Sequence, residues 1–172
     1  MNSIIFLDID GVLVTQKSID YWMKVSGDIY GPDGKEMFCR KSIETLNKII
    51  EKTNAEYVIT SGWRNDVPVA TMQRMFDNRG LDGKILDYVP SLGIEHDRGE
   101  EIMKWINKNG EPTSYAIIDD ECKDDIHKYF PEERCVETSW ISGLEERSFG
   151  KKIFTAMNKT TRVKTEASKK IF

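Results

Sequence analysis

The sequence predicts an α/β protein: a three-layer α/β/α sandwich built on a Rossmann-like parallel sheet. Three observations predict it. Short apolar runs alternate with amphipathic stretches, the pattern of a parallel sheet covered by helices on both faces. The runs at residues 4–7 and 115–118 are continuously apolar, as in strands buried on both sides, and so belong near the sheet centre. Acidic and hydroxyl-bearing clusters follow these apolar runs, where a parallel sheet carries its functional loops.

Each element follows from local pattern. Strands are expected at residues 4–7, 57–59, 85–86 and 115–118, with a last short one at 135–137. Helical spacing links Ile43, Leu46, Ile49 and Ile50, then Val69, Met72 and Phe76, then Ile102, Trp105 and Ile106. Ser42 is placed to cap the first of these helices, and Leu144, Ile153, Phe154 and Met157 indicate a closing one. Residues 16–38 contain Gly27, Gly31, Pro32, Asp33 and Gly34, a turn-forming composition, and read as an irregular flap. The organisation expected is one domain over 1–158 with a short flap at about 15–40, followed by a basic tail over 159–172.

Composition bounds the function. The chain has 172 residues, 39% hydrophobic and 31% charged, enough for one real core and a solvated surface. No apolar run approaches the roughly 18 residues of a membrane span, so a soluble, cytoplasmic protein with no membrane partner is expected. Cys39, Cys122 and Cys135 are odd in number and lack CxxC spacing, so neither a disulfide framework nor a structural zinc site is expected. The net charge of -4 creates no bulk field for nucleic acid. The tail, with Lys159, Arg162, Lys164, Lys169 and Lys170 against Glu166, is either a solvated terminus or a nucleic-acid contact.

Four clusters carry chemistry. Asp8-Ile9-Asp10-Gly11 follows the first strand; residues two apart on an extended chain point the same way, so one carboxylate can attack while the other moves protons. A calcium-type loop or simple turn would also explain that spacing. Ser61-Gly62-Trp63-Arg64 ends the second strand with a hydroxyl, free amides and a guanidinium able to hold phosphate oxygens, or is an ordinary turn with a packed tryptophan. Arg98 opens a helix, where cation and helix dipole favour an anion; the plain alternative is a surface pair with Glu95 or Glu101. Asp119-Asp120 ends a buried strand and needs positive charge, for which a hard divalent ion such as Mg²⁺ is the economical source, unless one of them caps a helix.

Taken together, these motifs resemble those of the haloacid dehalogenase-like (HAD) hydrolase superfamily, over residues 4 to about 126. The resemblance implies Asp8 as nucleophile, Asp10 as general acid and base, Ser61 on phosphate, Arg98 as the basic residue, and Mg²⁺ on Asp8, Asp10, Asp119 and Asp120; Gly62 and Arg64 are expected to add phosphate contacts on their own chemistry. The basic position is more often lysine in that family, so Lys84 and Lys41 are alternatives to Arg98. An acid at Asp10, which family dehalogenases lack, implies phosphate chemistry. SGWR, RGEEIMKWI and IIDDE are more narrowly similar to the capless domains of nucleic-acid repair phosphatases.

Neither gap between the motifs is long enough for a full cap domain. An open site implies a large phosphorylated substrate, such as a nucleic-acid end, or a lid from a second subunit of a homo-oligomer; a mononucleotide is the alternative substrate, and a non-catalytic nucleic-acid-binding module the alternative function. Trp22, Tyr30 and Trp63 could stack on a base or simply pack, and His96 could touch substrate or lie at the surface.

Overall fold

The computed structural model describes residues 3–27, 37–93, 95–123, 125–145 and 147–158. Five parallel strands form one sheet: β1 (Ser3–Leu7), β2 (Glu56–Ile59), β3 (Ile85–Tyr88), β4 (Ser114–Asp119) and β5 (Cys135–Glu137), in the order β3-β2-β1-β4-β5. β1 and β4 are central neighbours, with Ile4 beside Tyr115 and Leu7 beside Ile118. The continuous apolar runs occupy central positions covered on both faces. Their side chains alternate between two cores.

Ile5, Leu7, Tyr57, Ile59 and Ile118 face a core shared with the helices α2 (Arg40–Thr53), α3 (Val69–Asn78) and α5 (Ser148–Met157). Ile4, Phe6, Val58 and Ile117 face the opposite core, filled by Ile102, Trp105 and Ile106 of α4 (Arg98–Asn109). Helices therefore lie on both faces, as the alternation requires. From β1 the strand order runs outward through β2 to β3, then returns to β4 and β5. The reversal makes a topological switch point between β1 and β4, where a parallel sheet brings its functional loops together.

Two local expectations are corrected. Residues 16–38 are not irregular throughout: Gln16–Ser26 is a helix, α1. Thr15 and Ser18 start it with a reciprocal capping box, and Gly27 ends it in the left-handed region at φ 71. Tyr21, Met23 and Val25 remain exposed on α1, so it lacks the buried apolar stripe that marks a helix in sequence. Ser42 does not cap α2, which begins at Arg40 after Cys39; its buried hydroxyl accepts instead from the Leu144 amide (3.1 Å). Tyr30 and the rest of 28–36, like the tail over 159–172, lie outside the described residues.

No described helix is long and apolar enough to cross a membrane.

Candidate active site

Asp8 is the first residue past β1, Ser61 lies two past β2, and Asp119 is the last residue of β4. Parallel strands thus bring three loops to one rim of the sheet, at the switch point. Asp8, Asp119 and Asp120 offer carboxylate oxygens within 4.8 Å of one another. The Ile9 amide donates to Asp8 Oδ1 (2.8 Å) and the Glu121 amide to Asp119 Oδ1 (2.9 Å), which fixes both side chains and leaves each Oδ2 aimed at a common partner.

That partner is Arg98. Its Nη1 donates to Asp8 Oδ2 and to Asp119 Oδ2, both at 2.6 Å. Arg98 is the first residue of α4, and its amide donates to Asp125 Oδ2 (2.7 Å), so a carboxylate satisfies one open amide of the helix start. Of Arg98, Lys84 and Lys41, Arg98 is the cation brought to the acidic cluster. Lys84 pairs with Glu56 (3.5 Å) at the amino end of β2, away from the rim; Lys41 lies on the exposed side of α2.

Electrostatics define what the cluster lacks. Burial raises the Asp8 carboxyl, against the lowering pull of Arg98. Burial also raises Asp119, to about 6, with the charge of Asp8 adding to it. Asp120 moves up through burial and the neighbouring Asp119 charge. Burial opposes charge on Arg98 as well, but the two carboxylates overcome it and hold its guanidinium protonated. Three carboxylates against one guanidinium leave two formal negative charges, which a divalent cation with oxygen preference would balance. The donor set fits magnesium.

Gly11 lets this cluster close. Its φ is 72, and a Cβ there would stand 2.2 Å from Cγ of Asp120, so the Asp120 carboxylate packs where any other residue's side chain would be. Thr138, just past β5, donates its hydroxyl to the Gly11 carbonyl (2.8 Å) and pins the same turn.

Asp10 stands beside the cluster. Burial raises its carboxyl, opposed by a hydrogen bond from Trp63 and by Arg98. Trp63 donates its indole N–H to Asp10 Oδ2 (3.0 Å) and packs on the core, tilted against Phe38. Sequence offered stacking or packing for Trp63; it packs, and it also positions Asp10. Only a tertiary contact could reveal that.

The Ser61 loop divides in two. Ser61 is buried, and its hydroxyl accepts from the Trp63 amide (3.4 Å) at the start of a 3₁₀ turn over Gly62–Asn65. The adjacent Thr60 hydroxyl is buried with no hydrogen-bond partner. Arg64, by contrast, turns inward: Nη2 meets Glu101 at 2.5 Å, and Nη1 donates to the carbonyls of Thr60 and Ser61 (2.8 Å to the latter). In this arrangement its guanidinium is not brought to the acidic cluster. Glu101 is no surface partner of Arg98; it is 6% exposed and also accepts from the Leu92 amide (3.0 Å). His96 is exposed and pairs with Glu100 (2.8 Å), and Trp22 sits edge-to-face with Tyr21 on α1.

An α/β sandwich with an aspartate pair after β1, a hydroxyl after β2, a cation at a helix start and acids after β4 defines a HAD-like domain. Residues 4–149 match the family model described as the HAD domain in Swiss Army Knife RNA repair proteins, and the chain belongs to that family. No match was found among curated proteins or among solved structures.

Proposed function

We propose that the chain is a magnesium-dependent phosphomonoester hydrolase that works through a phosphorylated Asp8, with a nucleic-acid end or nucleotide as substrate. One observation carries the reading: Asp8 and Asp119, from the two strands flanking the switch point, share the Arg98 guanidinium, with Asp120 near enough to contribute to the same ion. Membership in a family named for RNA repair supports a nucleic-acid substrate.

Mg²⁺, held by Asp8, Asp119, Asp120 and the Asp10 carbonyl, would offset the repulsion between a carboxylate nucleophile and an anionic phosphate. The chain's own residues do the rest. Asp8, oriented by the Ile9 amide and Arg98, attacks phosphorus; the Asp8–phosphorus bond forms as the ester P–O bond breaks. Asp10, its carboxyl raised by burial, gives its proton to the leaving oxygen and then takes one from the water that cleaves the aspartyl-phosphate. Ser61, the Gly62 amide and Arg98 hold the outer phosphate oxygens as charge develops. Arg64 acts one step removed, gripping Glu101 one turn along α4 from Arg98.

Phosphate release from a panel of end-phosphorylated oligonucleotides and free mononucleotides, with and without Mg²⁺, tests the proposal. The expected result is Mg²⁺-dependent turnover with kcat/KM favouring the oligonucleotides. Preference for mononucleotides would overturn the polymer substrate, and no release with any divalent metal would favour a binding module.

A further inference from the structure

A second cluster of metal-binding side chains lies outside the acidic site. Cys122 follows β4, His127 sits in a 3₁₀ turn over Ile126–Lys128, and Cys135 opens β5. Cys135 lies thirteen positions after Cys122 in the chain, yet their Sγ atoms and a ring nitrogen of His127 lie within 4.8 Å of one another. The geometry points to a binding site for one zinc-class ion on Cys122, His127 and Cys135, clipping the loop that carries Asp120 to edge strand β5.

The local chain holds the set together without the ion. The amides of Ile126 and His127 both donate to the Cys122 carbonyl (3.1 and 3.0 Å), closing a tight ring that returns His127 to Cys122. Pairing of Ile117 with Cys135 brings the second thiol alongside. Cys122 donates its S–H to the Asp119 carbonyl (3.5 Å) and Cys135 donates its own to the Pro131 carbonyl (3.8 Å), so backbone oxygens orient both sulfurs. Among the described residues no hydrogen bond or ion pair engages the His127 ring.

Zinc–sulfur and zinc–nitrogen bonds of about 2.3 and 2.0 Å put tetrahedral ligand atoms roughly 3.5 Å apart, a contraction that small side-chain rotations supply. Two thiolates and an imidazole select zinc over magnesium, the reverse of the oxygen set at Asp8, Asp119 and Asp120. Cys122 is fully buried while His127 and Cys135 are half-buried, which gives the ion a path from solvent and leaves a fourth position for water. The effect on the acidic site runs through the backbone: Cys122 is two residues from Asp120, so an ion that ties Cys122 to Cys135 of β5 would stiffen the loop presenting Asp119 and Asp120.

The test uses the full chain, stripped with chelator, kept reduced, and titrated with Co²⁺. One equivalent is expected to bind with thiolate-to-cobalt charge-transfer and tetrahedral d–d absorption, to be displaced by Zn²⁺ and not by Mg²⁺, and to raise the unfolding midpoint. Cys135→Ser and His127→Ala, at half-buried positions that tolerate change, should each weaken binding at least tenfold, while Asp8→Asn should leave the spectrum intact. Absence of the charge-transfer band in the reduced wild-type chain, or its survival in Cys135→Ser, would overturn the assignment. Neither outcome bears on phosphate hydrolysis, which rests on the other cluster.

Discussion

Arg64 and Arg98 both read in sequence as phosphate-binding cations beside a motif, and the fold sends them to opposite fates. Arg98 reaches the rim of the sheet, bridges Asp8 and Asp119, and keeps 24% of its side chain exposed. Arg64 points into the protein, where its side chain and that of Glu101 are each 7% exposed. The difference is one of partners rather than residue type. A guanidinium that meets a lone buried carboxylate and two carbonyls becomes a structural tie, whereas one shared between two carboxylates at the rim of the sheet keeps part of its surface open to solvent. The two are linked, because Glu101 and Arg98 lie on the same face of α4, three residues apart.

That contrast can be broken at several points. The largest effect falls on stability: Arg64→Met leaves Glu101 buried and unpaired and should lower the unfolding free energy by about 3–5 kcal/mol, read by denaturant titration. The double variant Arg64→Met, Glu101→Leu should recover much of that loss, since it leaves no isolated charge behind. Arg98→Met, measured with Mg²⁺ present to offset the charge of Asp8 and Asp119, should cost less stability than Arg64→Met while kcat falls on the order of 10²–10³-fold. A folded, fully active Arg98→Met would dissolve the contrast. Trp63→Phe removes the N–H on Asp10 and should cost about 1.5–3 kcal/mol of carboxylate stabilisation, a roughly 10- to 100-fold drop in kcat at little-changed KM. Smallest is Gly11→Ala, where the left-handed backbone alone costs about 1–2 kcal/mol; displacement of Asp120 should appear as weakened Mg²⁺ activation in a metal titration.

The sheet was legible because buried parallel strands write themselves as unbroken apolar runs, and residues 4–7 and 115–118 did so. The rim was legible for a related reason: whatever ends a strand must sit there, so Asp8, Ser61 and Asp119 follow from strand positions alone. Direction of a side chain is another matter. Nothing near Arg64 in sequence announces Glu101, and nothing near Trp63 announces Asp10 53 residues away. Helix α1 escaped for want of a buried stripe, its start resting on the Thr15–Ser18 capping box. Ser42 misled because a serine near a helix start serves equally well as a buried acceptor for a distant amide. The cysteine cluster escaped because Cys122 and Cys135 meet only through β4–β5 pairing and the intervening turns, not through any short spacing.

The proposed reaction turns on the Asp8 carboxylate taking the phosphoryl group. Rapid acid quench during turnover with Mg²⁺ and an end-phosphorylated oligonucleotide, followed by peptide mass analysis, reads this directly. The peptide spanning residue 8 should carry one phosphoryl group that hydroxylamine removes, and Asp8→Asn should show neither the adduct nor phosphate release. Turnover that persists in Asp8→Asn, or a phosphoryl group found on any other residue, would contradict it.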